Sequence, residues 1–334
     1  MDLSTRYMGL ELKNPLVASA SPLTGDLDTL RRLEDSGAAA VVLPSLFQEQ
    51  IEAEARLYEE LALAGAESFP EARTYLPTHA IAHTGPERYL ALIRNAAEAL
   101  DIPVIASLNG TTNEGWTGYA RKMEQAGADG LELNIYLIAT DTALTGHEVE
   151  RRHLEILTAV RGAVAIPVAV KLGPYFSALG NMAEELDRVG AGALVLFNRF
   201  YQPDVDLTRL CLTKDLDLSS PHEIRLALLW IGVLAGRVSA SLAASTGVES
   251  AVEMVKYLLA GADVVMTTSA LLRHGPSYVD TLLCNLGAWL SAREFGSLDQ
   301  MRGRLSHQQL GNAPTFERAS YLEILRGYNG QHAK

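Results

Sequence analysis

In AIPVAVKL, residues 165–172, an apolar run of strand character carries one lysine, Lys171. Strand alternation puts Val168, Val170 and Leu172 on one face and Lys171 on the other. An ammonium surrounded by apolar neighbours is costly unless something negative meets it, so the position demands a partner or a ligand. Glu132, in GLELN, is a partner by the same pattern, because alternation turns Glu132 and Asn134 to one face of their strand. Three asparagines, Asn109, Asn134 and Asn198, each close an apolar run: IASLN, LELN and VLFN. A single such Asn is an ordinary turn residue. Three amides around a lysine, each able to donate and accept, suit a flat heterocycle with N–H and C=O groups on its edge. A further set suits an anion. Gly247 in SLAASTGVES precedes a helix, while Thr268 and Ser269 in MTTSALL open the next, and a backbone amide beside hydroxyls is a phosphate-binding combination.

Something must hold these groups together, and a repeated unit supplies it. EDSGAAAVVLPS, EQAGADGLELNI, DRVGAGALVLFN and LLAGADVVMTTS each end a helical stretch with a Gly suited to the left-handed C-cap, then run into apolar residues. DIPVIASLN, AIPVAVKL, GRVSASLAAS and NPLVASAS complete the series. The pattern predicts eight strands near 15–21, 39–45, 103–109, 130–136, 167–172, 193–198, 238–245 and 263–269, with helical periodicity between them. Eight strands alternating with helices predict an α/β fold, a single (β/α)8 TIM barrel spanning 1–334. STRY and ELKN predict an N-terminal β-hairpin closing the barrel floor, and 297–330 a C-terminal helical extension. Insertions are expected after strand 2, with an acidic helix in QEQIEAEARLYEELALA, and after strand 6, as an irregular stretch over 199–222. Both follow strands, so both belong to the C-terminal face, where barrel enzymes bind substrate.

The composition fits this picture. The 334 residues are 48% hydrophobic and 20% charged, as in ordinary globular proteins. A formal charge of -12 with no basic cluster argues against nucleic acid and for a small-molecule partner. The opening MDLSTRYMGLELKNP has no apolar core of signal length, and no run approaches the roughly 20 apolar residues of a membrane span, so a cytoplasmic protein without membrane contact is expected. Cys211 and Cys284 form no C-x-x-C; no metal site is expected, and Cys284, in the apolar TLLCNLGAWL, reads as a core residue.

In the order NPLVASASP, IASLNG, AGADGLELN, IPVAVKL, VLFN and STGVESAVEMVKYLLAGADVVMTTSALL, the chain resembles the dihydroorotate dehydrogenase-like flavoproteins, FMN-binding (β/α)8 barrels, over nearly its whole length. The resemblance implies FMN as cofactor, with backbone groups of Ser19, Ala20 and Ser21 against the flavin. It implies Asn109 and Asn134 at the ring, Lys171 at its N1/O2 edge, Asn198 toward the substrate, and Gly247, Thr268 and Ser269 on the phosphate. It also suggests a homodimer. A lysine suits the N1/O2 edge, where reduced flavin carries negative charge. Two departures stand out. Pro44 in LPS occupies the place of a lysine usual to the family, and in Asn134-Ile135-Tyr136-Leu137-Ile138-Ala139 the usual Cys or Ser base is replaced by Leu137 and a substrate-binding Asn by Ala139.

The leading expectation is therefore an FMN-dependent oxidoreductase acting on a CH–CH bond of a small cyclic or unsaturated substrate, poor with dihydroorotate, and exchanging electrons with an unidentified donor or acceptor. Lys171, Asn198 and Tyr136 are its catalytic candidates. Two other readings stand beside it: a Schiff-base lyase using Lys171, and a non-catalytic flavin- or ligand-binding barrel. Alternation from Asn134 turns Tyr136 inward and Leu137 away. A free phenol, with a pKa near ~10, is protonated at neutral pH and better suited to giving a proton than taking one. Covering the flavin is the other role open to Tyr136, and Tyr201 and Asp141 are alternatives on the same face.

Overall fold

Four strands begin after a glycine that lets a helix end and the chain reverse. Gly37, Gly127, Gly190 and Gly261 all have positive φ, between 100° and 121°, as the repeated unit predicts. The computed structural model describes residues 1–49, 85–110, 112–200, 202–213 and 217–311. Among these, eight parallel strands close into a barrel: β3 (Leu16–Ala18), β4 (Ala40–Phe47), β5 (Val104–Asn109), β6 (Gly130–Asn134), β7 (Val168–Leu172), β8 (Ala193–Leu196), β11 (Ser241–Ala244) and β12 (Val264–Thr267). Helices α1 (Leu27–Asp35), α2 (Gly85–Ala99), α3 (Asn113–Gln125), α4 (Gly146–Arg161), α5 (Leu179–Val189), α6 (Ile224–Leu234) and α7 (Ala251–Ala260) alternate with them; α8 (Ser269–His274) and α9 (Tyr278–Ala292) follow β12. No helix among the described residues is long and apolar enough to cross a membrane.

The same unit carries acidic braces. Three residues before the glycine, Glu34, Glu124 and Asp187 accept pairs of backbone N–H bonds from 101–102, 165–166 and 239–240, at 2.7 to 3.1 Å. Two residues after it, Asp129 and Asp263 accept from Val104 and Leu242, both at 2.8 Å. Charged acceptors make these among the stronger hydrogen bonds, and each ties one αβ unit to an adjoining strand entry.

Alternation divides the strand residues into two cores. Val168, Val170 and Leu172 pack outward beneath the helices, whereas Ala169, Val195, Ile105, Val42 and Met266 fill the barrel interior. The hairpin β1 (Thr5–Tyr7) and β2 (Leu10–Leu12) plugs the floor, with Tyr7, Met8 and Leu12 in the interior cluster. Arg302 locks this end by donating to Asp263 and Thr5 at 3.1 and 2.9 Å.

Three expectations need amendment. The insertion after the sixth strand contains an antiparallel hairpin, β9 (Asp204–Asp206) with β10 (Cys211–Thr213), because its short runs DVD and CLT pair across a turn at Leu207–Leu210. From 297 to 311 the extension is a 3-10 turn at Leu298–Gln300 followed by further turns, because Gly303 and Gly311 adopt positive φ, and residues beyond 311 lie outside those described. Cys284 is exposed, not core. α9 is apolar on most sides, and the stripe that packs inward is Val279, Leu282, Leu286 and Leu290, leaving Cys284 outside beside Asp280. The acidic helix expected after the second strand falls in 50–84, outside the described residues.

Candidate functional site

Lys171 points into the barrel, as alternation requires, and its Nζ lies 3.4 Å from Glu132 Oε1. Both side chains are buried, Glu132 to 1% exposure and Lys171 to 11%, and the lysine also lines a cavity of about 260 Å³ at the C-terminal face. The second carboxylate oxygen, Oε2, is buried without a hydrogen-bond partner. Beneath the pair, burial and then the Glu132 charge hold the Tyr7 phenol well above its ordinary pKa, so a neutral ring floors the site. A buried ion pair repays its desolvation only with good geometry, and one long contact with an orphaned oxygen is incomplete compensation. The lysine therefore keeps charge to offer toward the cavity.

The amides join along the rim. Asn198 Nδ2 donates to Asn134 Oδ1 at 2.5 Å, Asn134 Nδ2 donates to Ser45 Oγ at 3.1 Å, and Ser45 shares a 2.7 Å bond with Ser107. Ser45 reaches this chain because β4 is bulged between Val42 and Ser45, with Pro44, which cannot donate a ladder bond, inside the bulge. Asn198 lines the cavity; Asn109 is buried at the end of β5 and does not line it.

The other end of the cavity collects Ser19, Ala20, Ser21, Gly247, Thr268 and Ser269, together with Ser219, Thr246 and Arg199. Ser219, missed in the sequence, is central here. Its Oγ accepts from the Gly247 amide at 3.2 Å and lies 2.9 Å from Ser269 Oγ. It is 50 residues from Ser269, and its only local signal is its place before the Ser220–Glu223 capping box. Arg273 donates to the Ser219 carbonyl at 3.0 Å and pairs with Glu249. The turn itself is strained: Thr246 has φ 81°, unusual for a β-branched residue, followed by Gly247 at 73°. Tyr257 braces it by donating from its buried hydroxyl to the Thr246 carbonyl at 3.0 Å. Strain held by a buried brace beside a cluster of donors is what an anion site needs.

After β6 the strand stops at Asn134, two residues earlier than expected. Tyr136 is half-buried with its ring 4.5 Å from that of Phe200, and Phe200 lies 5.4 Å from Tyr175. Ladder alternation thus does not extend to Tyr136, and contrary to the inward orientation expected of it the residue lines neither the first cavity nor the one beside Leu137; packing against the tilted Phe200 ring fixes its place. Leu137 turns aside, as expected, into a second cavity of about 430 Å³. Asp141 is an exposed turn residue that accepts from the Ala143 amide at 2.9 Å, and it lines neither cavity. Tyr201 lies outside the described residues.

Under the second cavity His153 of α4 is buried, its ring edge-on to Phe176 at 5.2 Å and its Nδ1 2.8 Å from the Val149 carbonyl. Burial lowers its pKa. An unfolded histidine titrates near ~6.5, so between that value and the lower folded one the unfolded state binds more protons and stability falls as pH falls. Chemical denaturation at pH 7 and pH 5 should show this loss, at most about 1.4 kcal/mol per pH unit, and His153→Gln should flatten it. An unaltered slope in the variant would assign the pH dependence elsewhere.

The family model described as dihydroorotate dehydrogenase matches residues 76–290. Among similar proteins, the dihydroorotate dehydrogenase B (NAD(+)) catalytic subunit of Methanothermobacter thermautotrophicus is 26% identical over 312 residues, covering 91% of this chain and 98% of that protein. The subunits of the same name from Thermoplasma acidophilum and Pyrococcus abyssi are 23% and 24% identical, each match covering 90% of this chain and 98% of the relative.

Proposed function

The chain belongs to the dihydroorotate dehydrogenase family of oxidoreductases, and from that premise we propose that it binds FMN in the first cavity and acts on a CH–CH bond of a small cyclic or unsaturated substrate other than dihydroorotate. One observation carries the reading: a single cavity has a lysine and an asparagine at one end, and at the other a cluster of hydroxyls around the Gly247 amide. The residues fit the cofactor. Gly247, Ser219, Thr268 and Ser269 would hold its phosphate, Ser19 to Ser21 its flank, and Lys171 and Asn198 the polar edge of its ring. When bound, FMN supplies two-electron hydride chemistry.

The chain's own residues then divide the work. Lys171 favours negative charge on the ring edge, and the Asn198–Asn134–Ser45 chain keeps the amides oriented. Tyr136, packed against Phe200, is the proton donor in our reading. With Leu137 where the family has a base, the loop lacks the family's own agent for proton removal from dihydroorotate, and with a phenol in reach we read reduction of an activated double bond as the favoured direction. The electron partner is a diffusible molecule or another protein. A Schiff-base lyase would need Lys171 as a free amine, whereas its Nζ is engaged by Glu132.

Rapid anaerobic mixing tests this. The oxidised holoprotein should be reduced by dihydroorotate no faster than by buffer, while the reduced protein should be reoxidised by cyclic enones. Tyr136→Phe, with flavin content matched, should slow that reoxidation by ~10²-fold or more, the usual worth of a positioned general acid. Fast reduction by dihydroorotate, or a Tyr136→Phe variant at the wild-type rate, would overturn the assignment.

A further inference from the structure

The second cavity opens on the same barrel face and differs in chemistry from the first. Its walls include Leu137 and Ala139 from the loop after β6, Val149 and Glu150 from the first two turns of α4, and the rings of Phe176 and Phe200. Among the described residues lining it, Glu150 is the single charged one. Among the described residues lining the cavity, a carboxylate brought here would find no lysine or arginine and would face the Glu150 charge instead. An apolar group would exchange water for leucine, alanine and two aromatic rings.

A third groove shares lining residues with each of the two cavities. Tyr175 and Phe200 border it with Phe197, Asn198 and Arg199, and those three line the first cavity. Gly173, two residues beyond Lys171, is what brings Phe200 so close: a Cβ at this glycine would stand 2.7 Å from Phe200 Cζ. The aromatic wall therefore packs directly on the end of the strand that presents the lysine. A flat ring held near Lys171 and Asn198 can extend a substituent past Phe200 toward Leu137.

We propose that this second cavity holds an uncharged aromatic or branched aliphatic arm of the substrate, so that the substrate class is a flat unsaturated ring carrying an apolar substituent rather than a carboxylate. The proposal rests on the flavin reading for the place of the reacting ring. Matched uracils bearing either a phenyl or a carboxylate group at carbon 5 or carbon 6 test it by isothermal titration calorimetry on protein expressed with flavin supplied. The better phenyl isomer should bind at least tenfold tighter than either carboxylate. Ala139→Trp, at an exposed loop position, should fill the cavity and reduce phenyl affinity tenfold or more, and Leu137→Lys, on the same loop, should narrow the preference by adding a cation for the carboxylate. Carboxylates binding as tightly as the phenyl compounds, no measurable phenyl binding, or variants with unchanged phenyl affinity would each overturn it. The visible spectrum of the same samples separates the two claims. Yellow protein without phenyl preference removes only the cavity assignment, whereas colourless protein that retains the preference removes only the flavin reading.

Discussion

Gly247→Ala purified after expression with flavin supplied should carry less than a tenth of the FMN found on the wild type. The cause is local and steric. Gly247 sits at φ 73°, where an L side chain is strained, and its added Cβ would stand 2.7 Å from both the Ser220 carbonyl and Ile224 Cγ2. The first of these is backbone and cannot swing aside. A non-glycine residue in this region costs on the order of 1–3 kcal/mol, and relieving the clash must move the very amide that faces Ser219. Because Tyr257 pins the preceding Thr246 carbonyl, the strain has little room to spread, and the damage falls on the anion end of the cavity. The ratio of flavin to protein absorbance measures it, with thermal melting to verify that the barrel is folded. Wild-type occupancy in a folded Gly247→Ala variant would detach this turn from cofactor binding.

The second large effect concerns the buried pair. Lys171→Met should lower the bound flavin's midpoint potential and Glu132→Gln should raise it, because the first removes a positive charge beside the ring and the second a negative one. For a two-electron couple 30 mV is ~1.4 kcal/mol, and a poorly screened charge change of this kind predicts shifts on the order of 30–60 mV in each direction. Removing one partner of a buried pair also costs stability, roughly 3–5 kcal/mol, so both variants should melt below the wild type. A purely structural pair would give the melting change without the opposed potentials. Shifts of one sign in both variants would contradict the arrangement.

Much of this was readable in the sequence because it rests on local rules. Helix, glycine and apolar run recur often enough to count the strands, and a period of two is sufficient to turn Lys171 and Glu132 into the same interior. Periodicity failed where a pattern had no preferred side or ended early. α9 is apolar around most of its circumference, so Cys284 could not be assigned to the surface from spacing. Tyr136 lies past the end of its ladder, where aromatic packing against a residue 64 positions away decides its place. Ser219 was invisible for a related reason: it meets Gly247 and Ser269 only through closure of the barrel. Asn109 shows the converse, a residue well placed by strand counting whose side chain does not line the cavity.

The central claim is that the first cavity is an FMN site, and acid release of cofactor from the purified wild-type chain tests it most directly. Denaturing the yellow protein and quantifying the supernatant by chromatography should yield about one FMN per chain with no flavin left on the precipitate. Protein that is colourless after expression with flavin in excess, or that releases no FMN, would contradict the account.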